Sequence, residues 1–416
     1  MVLDINNADD FYIYNNHVDK LFFQGEEIWP NWTNFKGRPL TIEPISTGGT
    51  LTVHVSKSGN NYARYSKDLS TWTDLTSGDN YINVNSGEKV YLRSIGQSNS
   101  AFSITNINTD FYYKVSGNIL SLVYGDDFDG QEYIDRRGST PQYQSLTLYG
   151  GYNLFKNSTT LLYANNLYIS SYVLQHYQLN QDDPVSTYAV TPFDFSSFFE
   201  GCTSLILPPI LWVLDRNNLP YNVTDVICCG SYNSMFKNCN SLLRAPYIPT
   251  GFCTWIATGF GSSYNQVYKY SNMFENCTSI TSANDLNEGK FDGDGYQRML
   301  YASEMFKGCT SLMVAPKLPK IKSSYLTFNG MFKGCTSLTT VPDIDVEIIG
   351  TIGLREMFSG CSNLNYVKCL ATEINQAGME NWLYGVSPTG TFVKDANTTW
   401  PSGDSGIPSG WTVINN

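Results

Sequence analysis

Between residues 38 and 115 apolar and polar positions alternate with the period of two that a half-buried strand requires. The runs at 51–55, 61–66, 81–84 and 89–93 are separated by Gly, Ser, Asn and Asp. That spacing suits a small β-sandwich over 36–115, with Trp72 expected as a core anchor. Ahead of it, Phe11-Tyr12-Ile13-Tyr14 and Lys20-Leu21-Phe22-Phe23 flank Asn15-Asn16 and run on to Ile28-Trp29-Pro30. They predict a hairpin in an N-terminal attachment segment, 1–35, too small to hold a core alone. Residues 116–150 are expected to be a lead-in.

Beyond 150 the pattern changes to a longer repeat. Seven copies of aromatic-x-[Gly/Asn]-[Cys/Ser]-x-x-[Leu/Ile] occur, starting at Phe155, Phe199, Phe236, Phe274, Phe306, Phe332 and Phe358. Their fourth positions are Ser158, Cys202, Cys239, Cys277, Cys309, Cys335 and Cys361, spaced by 44, 37, 38, 32, 26 and 26 residues. The unit is therefore about 26 residues long, with insertions in the earlier copies. After each Leu or Ile the third and sixth residues are mostly apolar as well, as in Leu312/Ala315/Leu318 and Leu364/Val367/Leu370.

A unit this short buries its apolar face only against its neighbours. The expected fold is an α/β repeat solenoid of leucine-rich-repeat type over 151–371. Each Met-Phe-Lys-Gly-Cys segment is read as a short helix ended by its Gly or Asn, and each apolar triple as a strand in a parallel ladder. Pro209, Pro246, Pro316 and Pro342 would end those strands. Residues 372–416 are expected to cap the array.

The Met-Phe-Lys-Gly-Cys-Thr-Ser-Leu blocks at 305–312 and 331–338, each followed by a Pro, resemble BspA-like leucine-rich repeats. The resemblance covers about 117–414. It implies a protein that binds host matrix or cell-surface molecules. The stretch from Val18 to Pro30 is similar to short N-terminal segments of tail and fibre proteins of phages of gut bacteria, crAss-like or related. Together the two imply a fibre or receptor-binding protein, homotrimeric as phage fibres commonly are. Its first 35 residues would dock to other virion proteins and its repeats to a host glycan or protein.

Charge narrows the partners. Lys and Arg number 26 against 37 Asp and Glu, a net charge of −11 that disfavours nucleic acid and anionic lipid. No basic segment precedes an apolar run at the start, and no stretch of about 18 apolar residues occurs. The chain is read as soluble and made in the host cytoplasm without an export address. A bacterial surface adhesin is the alternative localisation.

All ten cysteines lie at or after Cys202, and six mark the repeat. One Cys per unit, without Cys-x2-Cys pairs, reads as a packed file of reduced thiols beside Phe199, Phe236, Phe274, Phe306, Phe332 and Phe358, with no metal. Cys228, Cys229, Cys253 and Cys369 stand outside the file. Only His17, His54 and His176 are present, and no G-x-S-x-G, P-loop or G-x-G-x-x-G occurs. No catalytic residue and no cofactor is therefore expected. A glycan depolymerase remains an alternative, because a carboxylate pair is invisible in sequence.

The candidate ligand-binding groups are aromatic and cationic. Insertions at 168–177 and 250–270 carry Tyr168, Tyr172, Tyr177, Phe252, Trp255, Phe260, Tyr264, Tyr268 and Tyr270, and exposed rings stack on sugar faces. Arg244, Tyr247, Lys317, Asp343 and Tyr366 fall between buried positions and are expected to face solvent.

Overall fold

The computed structural model describes residues 37–56, 63–95, 102–131, 153–170, 194–212, 231–246, 270–283, 301–318, 326–344 and 353–416 except 375. It also describes the backbone of short strands outside them. Near the N-terminus these include two antiparallel pairs, Tyr12–Ile13 with Asn16–His17 and Leu21–Phe23 with Glu26–Trp29.

Two sheets are built mainly from the first third of the chain, and both contribute to one core. One is an antiparallel triplet of Ile104–Thr109, Gly49–Val55 and Gly78–Val84. The other has seven strands, in the order Ile210–Trp212, Leu161–Ser170, Tyr113–Asn118, Leu40–Pro44, Val90–Ser94, Ala63–Ser66 and Thr73–Asp74. Alternate residues such as Leu51, Val53 and Val55 point inward and are buried, as a two-residue period dictates. This larger sheet crosses position 115 without a break, pairing Tyr113–Asn118 antiparallel with Leu40–Pro44 and parallel with Leu161–Ser170. One connected core runs from Leu40 to Trp411. Trp72 is not in it: the ring lies partly exposed under the Arg93 guanidinium, 3.7 Å from its centroid.

The expected α/β leucine-rich-repeat solenoid with short helices is overturned. Among the described residues the one α-helix is Ser121–Tyr124, far from the repeated motif, and the rest is mostly β in several separate sheets. The parallel ladder is also interrupted. Between motif copies it survives partly as single bridges, Ser282 to Val314, Val314 to Thr340 and Thr340 to Tyr366. Insertions of unequal length between copies leave no constant stretch from which long strands could pair.

The motif segments are turns, for a conformational reason. A helix needs negative φ at every residue, whereas each segment contains two residues of positive φ. The first is Asn153, Ser197, Ser234, Asn272, Glu304, Gly330 or Glu356, and the second, four residues on, is Asn157, Gly201, Asn238, Asn276, Gly308, Gly334 or Gly360. Those two inversions turn alternate N–H groups out of the segment and along the stack. Phe306 donates to the Met331 carbonyl and Gly308 to that of Lys333, both at 2.8 Å, and the same pair of bonds recurs between neighbouring copies.

Stacking brings like residues together. The rings of Phe155, Phe199, Phe236, Phe274, Phe306, Phe332 and Phe358 form one file, with centroids 5.2 to 5.7 Å apart and planes within 15° of parallel. Beside it lies the thiol file. Each Cys donates to the carbonyl of the Phe one copy earlier, from Cys202 to Phe155 at 2.9 Å through Cys361 to Phe332 at 3.0 Å. At the first copy Ser158 hydrogen-bonds the Tyr113 hydroxyl at 2.8 Å, joining the file to the N-terminal sheets.

Candidate functional site

The turn after each Cys exposes a repeating set of side chains. The residues following Cys309 are exposed Thr310, half-buried Ser311, buried Leu312, exposed Met313 and Val314, and buried Ala315. Nearly the same order recurs at 240–245, 278–283, 336–341 and 362–367, with exposure only partial at Arg244, Thr278, Ser282 and Tyr366, Ala283 half-buried and Asn363 exposed. The buried Leu or Ile between the two outward groups anchors each row to the core, so the rows keep register.

Backbone bonds fix the spacing of these rows. Met313 donates to Thr281 at 3.0 Å, Ser337 to Thr310 at 3.2 Å, Asn365 to Thr339 at 3.0 Å and Thr391 to Asn365 at 2.8 Å. Parallel pairing then carries the Tyr366 row on to Thr391 and Thr412. The result is a face that climbs by about 4.8 Å per row. It carries one file of Thr310, Thr336 and their equivalents, and a second file of Leu243, Met313, Thr339 and Asn365 with Arg244, Ser282, Val314, Thr340 and Tyr366 alongside.

The face has little charge. Arg244 is half-buried, and burial lowers its pKa from the ordinary 12.5. Lys368 and Asp343, on the margin, form an ion pair at 2.6 Å. Charge is concentrated instead on the motif turns, where one position per turn reads Lys156, Glu200, Lys237, Glu275, Lys307 and Lys333. Neighbours there pair at 2.9 Å (Lys156–Glu200), 2.7 Å (Lys237–Glu275) and 3.3 Å (Lys307–Glu275). These ions neutralise one another and hold adjacent turns.

The residues expected to bind ligand part company. Tyr270 is buried, its ring stacked on Tyr232 at 5.6 Å, and Tyr232 stacks in turn on Phe195 at 5.9 Å. It belongs to a second aromatic file inside the core. Tyr168 is buried too. Tyr268 lies in the strand Gln266–Lys269, paired with Leu300. Trp255, Tyr264, Tyr247, Cys228, Cys229 and Cys253 lie outside the described residues. Cys369 is a buried free thiol in the strand Tyr366–Cys369. Arg244 and Tyr366 do lie on the face, separated by the three rows of Ser282, Val314 and Thr340.

The most exposed apolar members of the face, Met313 at 55% and Val314 at 61%, were missed from sequence. The signal was available: both follow the buried Leu312, where a turn's chain passes over the surface. Missed as well was an eighth turn. Asn381 and Gly385 take the two positive-φ positions, while Trp382 and Leu383 replace Met and Phe. Phe358 donates to the Trp382 carbonyl at 2.9 Å, as every earlier Phe does to its neighbour.

Elsewhere the polar groups serve structure. Arg64 and Arg93 share the Asp126 carboxylate, at 3.2 and 2.8 Å, and His54 pairs with Asp79 at 2.7 Å. Among the described residues no three of His, Cys, Asp or Glu gather as a metal ion requires. The chain matches no family model, no curated protein and no solved structure.

Proposed function

We propose that the protein is a non-enzymatic virion fibre or adhesion protein that binds a host cell-surface glycan through the face of Thr310, Met313, Val314, Thr340 and Tyr366. Residues 1–35 then serve for docking to other virion proteins. The observation that carries this reading is the exposure of Met313 and Val314 side by side on a backbone held row to row by hydrogen bonds. Isolated exposed apolar residues need no explanation, but an ordered file that also includes Leu243, at 54%, and Tyr366 is what a binding surface looks like before it is covered.

The chemistry favours sugar. A glycan presents apolar ring faces flanked by hydroxyls, and this face presents apolar groups flanked by the hydroxyls of Thr310, Thr336, Thr339 and Thr340. Its small charge suits a neutral polymer. Rows fixed by backbone bonds lose little freedom on binding, which keeps the entropic cost low.

The test is retention of the protein on intact host cells and on their purified surface polysaccharide, for the wild type and for Met313→Asp/Val314→Asp. The wild type is retained, the double variant binds at least ten-fold more weakly, and the polymer keeps its length. Equal binding by the variant would remove this face from the proposal, and shortening of the polymer would remove the non-enzymatic part.

A further inference from the structure

Among the described residues the interior of the stack is uncovered at the strand Trp411–Asn415. One inward file runs Val367, Phe392, Val413 along paired strands. The first two are fully buried, and Val413 is 44% exposed. On the opposite side Val393 is 8% exposed, and its partner Ile414 is 47% exposed. Both faces of the strand thus lose their cover in one step. Among the described residues it pairs with Gly390–Lys394 alone.

Its backbone groups divide cleanly. The Asn416 N–H donates to the Lys394 carbonyl at 2.9 Å. By strand alternation the N–H and C=O of Ile414 and Thr412 also face Gly390–Lys394, while those of Val413 and Asn415 point to the open edge. Natural edges of this kind are usually blunted by Lys, Pro or a bulge. Trp411-Thr412-Val413-Ile414-Asn415-Asn416 contains none of them and no charge.

From this we infer that the strand Trp411–Asn415 is the interface of a homodimer, in which it pairs antiparallel with the same strand of a second copy about a two-fold axis at Ile414. A two-fold interface must be complementary to itself, since every residue meets the mate that its own symmetry dictates. This strand satisfies that condition. With the axis at Ile414, Val413 of one copy faces Asn415 of the other, and each such pair exchanges both N–H···O bonds. Ile414 then meets Ile414 in the close, non-hydrogen-bonded position, where β-branched pairs are favourable. No like charges are brought together, although the whole chain carries −11. Among the described residues the N-terminal end of the stack offers no equivalent edge in Tyr113–Asn118, which is paired on one side with Leu40–Pro44 and on the other with Leu161–Ser170. A two-fold pair differs from the threefold assembly implied by the likeness to fibres, and it is independent of whether the glycan face is used.

Sedimentation velocity of the full chain at neutral pH is the test, with Ile414→Lys, Ile414→Glu and Val413→Pro. The wild type sediments as a dimer. Each Ile414 variant alone is a monomer, because two like charges meet on the axis, and an equimolar mixture of the two recovers the dimer. Val413→Pro removes an N–H that has no acceptor among the described residues, so it keeps the monomer's circular dichroism and loses the dimer. A monomeric or trimeric wild type overturns the inference, as do variants that dimerise like the wild type or a mixture that stays monomeric.

Discussion

The Cys335 thiol donates a hydrogen bond to the carbonyl oxygen of Phe306, 3.1 Å away in the preceding turn. That carbonyl is buried with its ring, and the thiol is small enough to reach it without parting the Phe306 and Phe332 rings, 5.7 Å apart. The file of cysteines is thus a file of donors, each giving a second hydrogen bond to a Phe carbonyl that already accepts a backbone N–H within its own turn, as Phe306 does from Cys309 at 3.1 Å.

Removing one such donor has a defined effect. Cys335→Ala deletes the buried sulfur and one of the two donors to the Phe306 carbonyl, which keeps the Cys309 N–H at 3.1 Å, for a loss of about 1 kcal/mol. Cys335→Ser keeps a donor, as Ser158 keeps a hydroxyl at the same place in the first copy, and is expected to lose less than the alanine variant. Urea unfolding monitored by fluorescence distinguishes them. Equal stability of the alanine variant and the wild type would deny the bond any energetic role.

The same burial sets a pH limit. Desolvation of the thiolate pushes Cys309 and Cys361 up from an ordinary value of 9.0 to about 12 and raises Cys239, Cys277 and Cys335 as well. The unfolded chain then releases these protons at lower pH than the folded one. Stability from this source is fully present below about 9 and falls as the pH rises from there towards about 12. Melting temperatures measured from pH 7 to 11 should decline over the upper half of that range, and less so in a variant with Cys309, Cys335 and Cys361 all changed to Ser. In the native protein at neutral pH these thiols should react with a water-soluble disulfide reagent only as fast as the structure opens.

What the sequence shows and what it hides divide along physical lines. Phe, Cys and Leu recur because each occupies a confined buried space that admits only near substitutes, Ser158 for Cys and Ile280 for Leu, so spacing alone locates the residues whose rings and thiols stack. Conformation is less legible. The Gly or Asn before each Cys advertises a left-handed residue, and by itself it reads as the end of a helix. The companion inversion four residues earlier falls on Ser197, Ser234, Glu304 and Glu356, types that seldom adopt positive φ and give no warning of it. Hence the expected helices were turns. The site was partly legible for a similar reason: a ring such as Tyr270 has the same composition whether it meets a ligand or Tyr232, whereas Arg244 and Tyr366 sit at defined offsets from a buried Leu.

The left-handed positions can be tested directly. At Gly334, φ is +76°, and an added Cβ would approach Gly308 no closer than 3.9 Å. Space is available, so the cost of Gly334→Ala is conformational, about 1–2 kcal/mol. Gly334→Asn should cost less than the alanine, since Asn157, Asn238 and Asn276 already hold that place in other copies. Denaturant midpoints of the two variants decide the matter, and an alanine at least as stable as the asparagine contradicts it.

The last prediction concerns the ions between turns. Glu275 is 7% exposed and accepts from Lys237 at 2.7 Å and from Asn272 at 2.8 Å, with Lys307 at 3.3 Å. Burial by itself raises its pKa, but the hydrogen bonds from Lys237 and Asn272 and the two ammonium charges outweigh that and hold it below the usual 4.5. A carboxylate with a lowered folded pKa binds protons less readily than its unfolded counterpart. Its contribution is therefore present above the unfolded value and is lost as the pH falls through the folded one. Glu275→Gln cannot take part in that titration, and it leaves Lys237 and Lys307 facing each other without the charge between them. The variant should be less stable than the wild type at pH 7, with the gap narrowing as the pH is lowered below about 4.5. Urea midpoints for the two proteins at several pH values measure the gap, and a difference that does not shrink in acid would show that Glu275 acts through packing rather than charge.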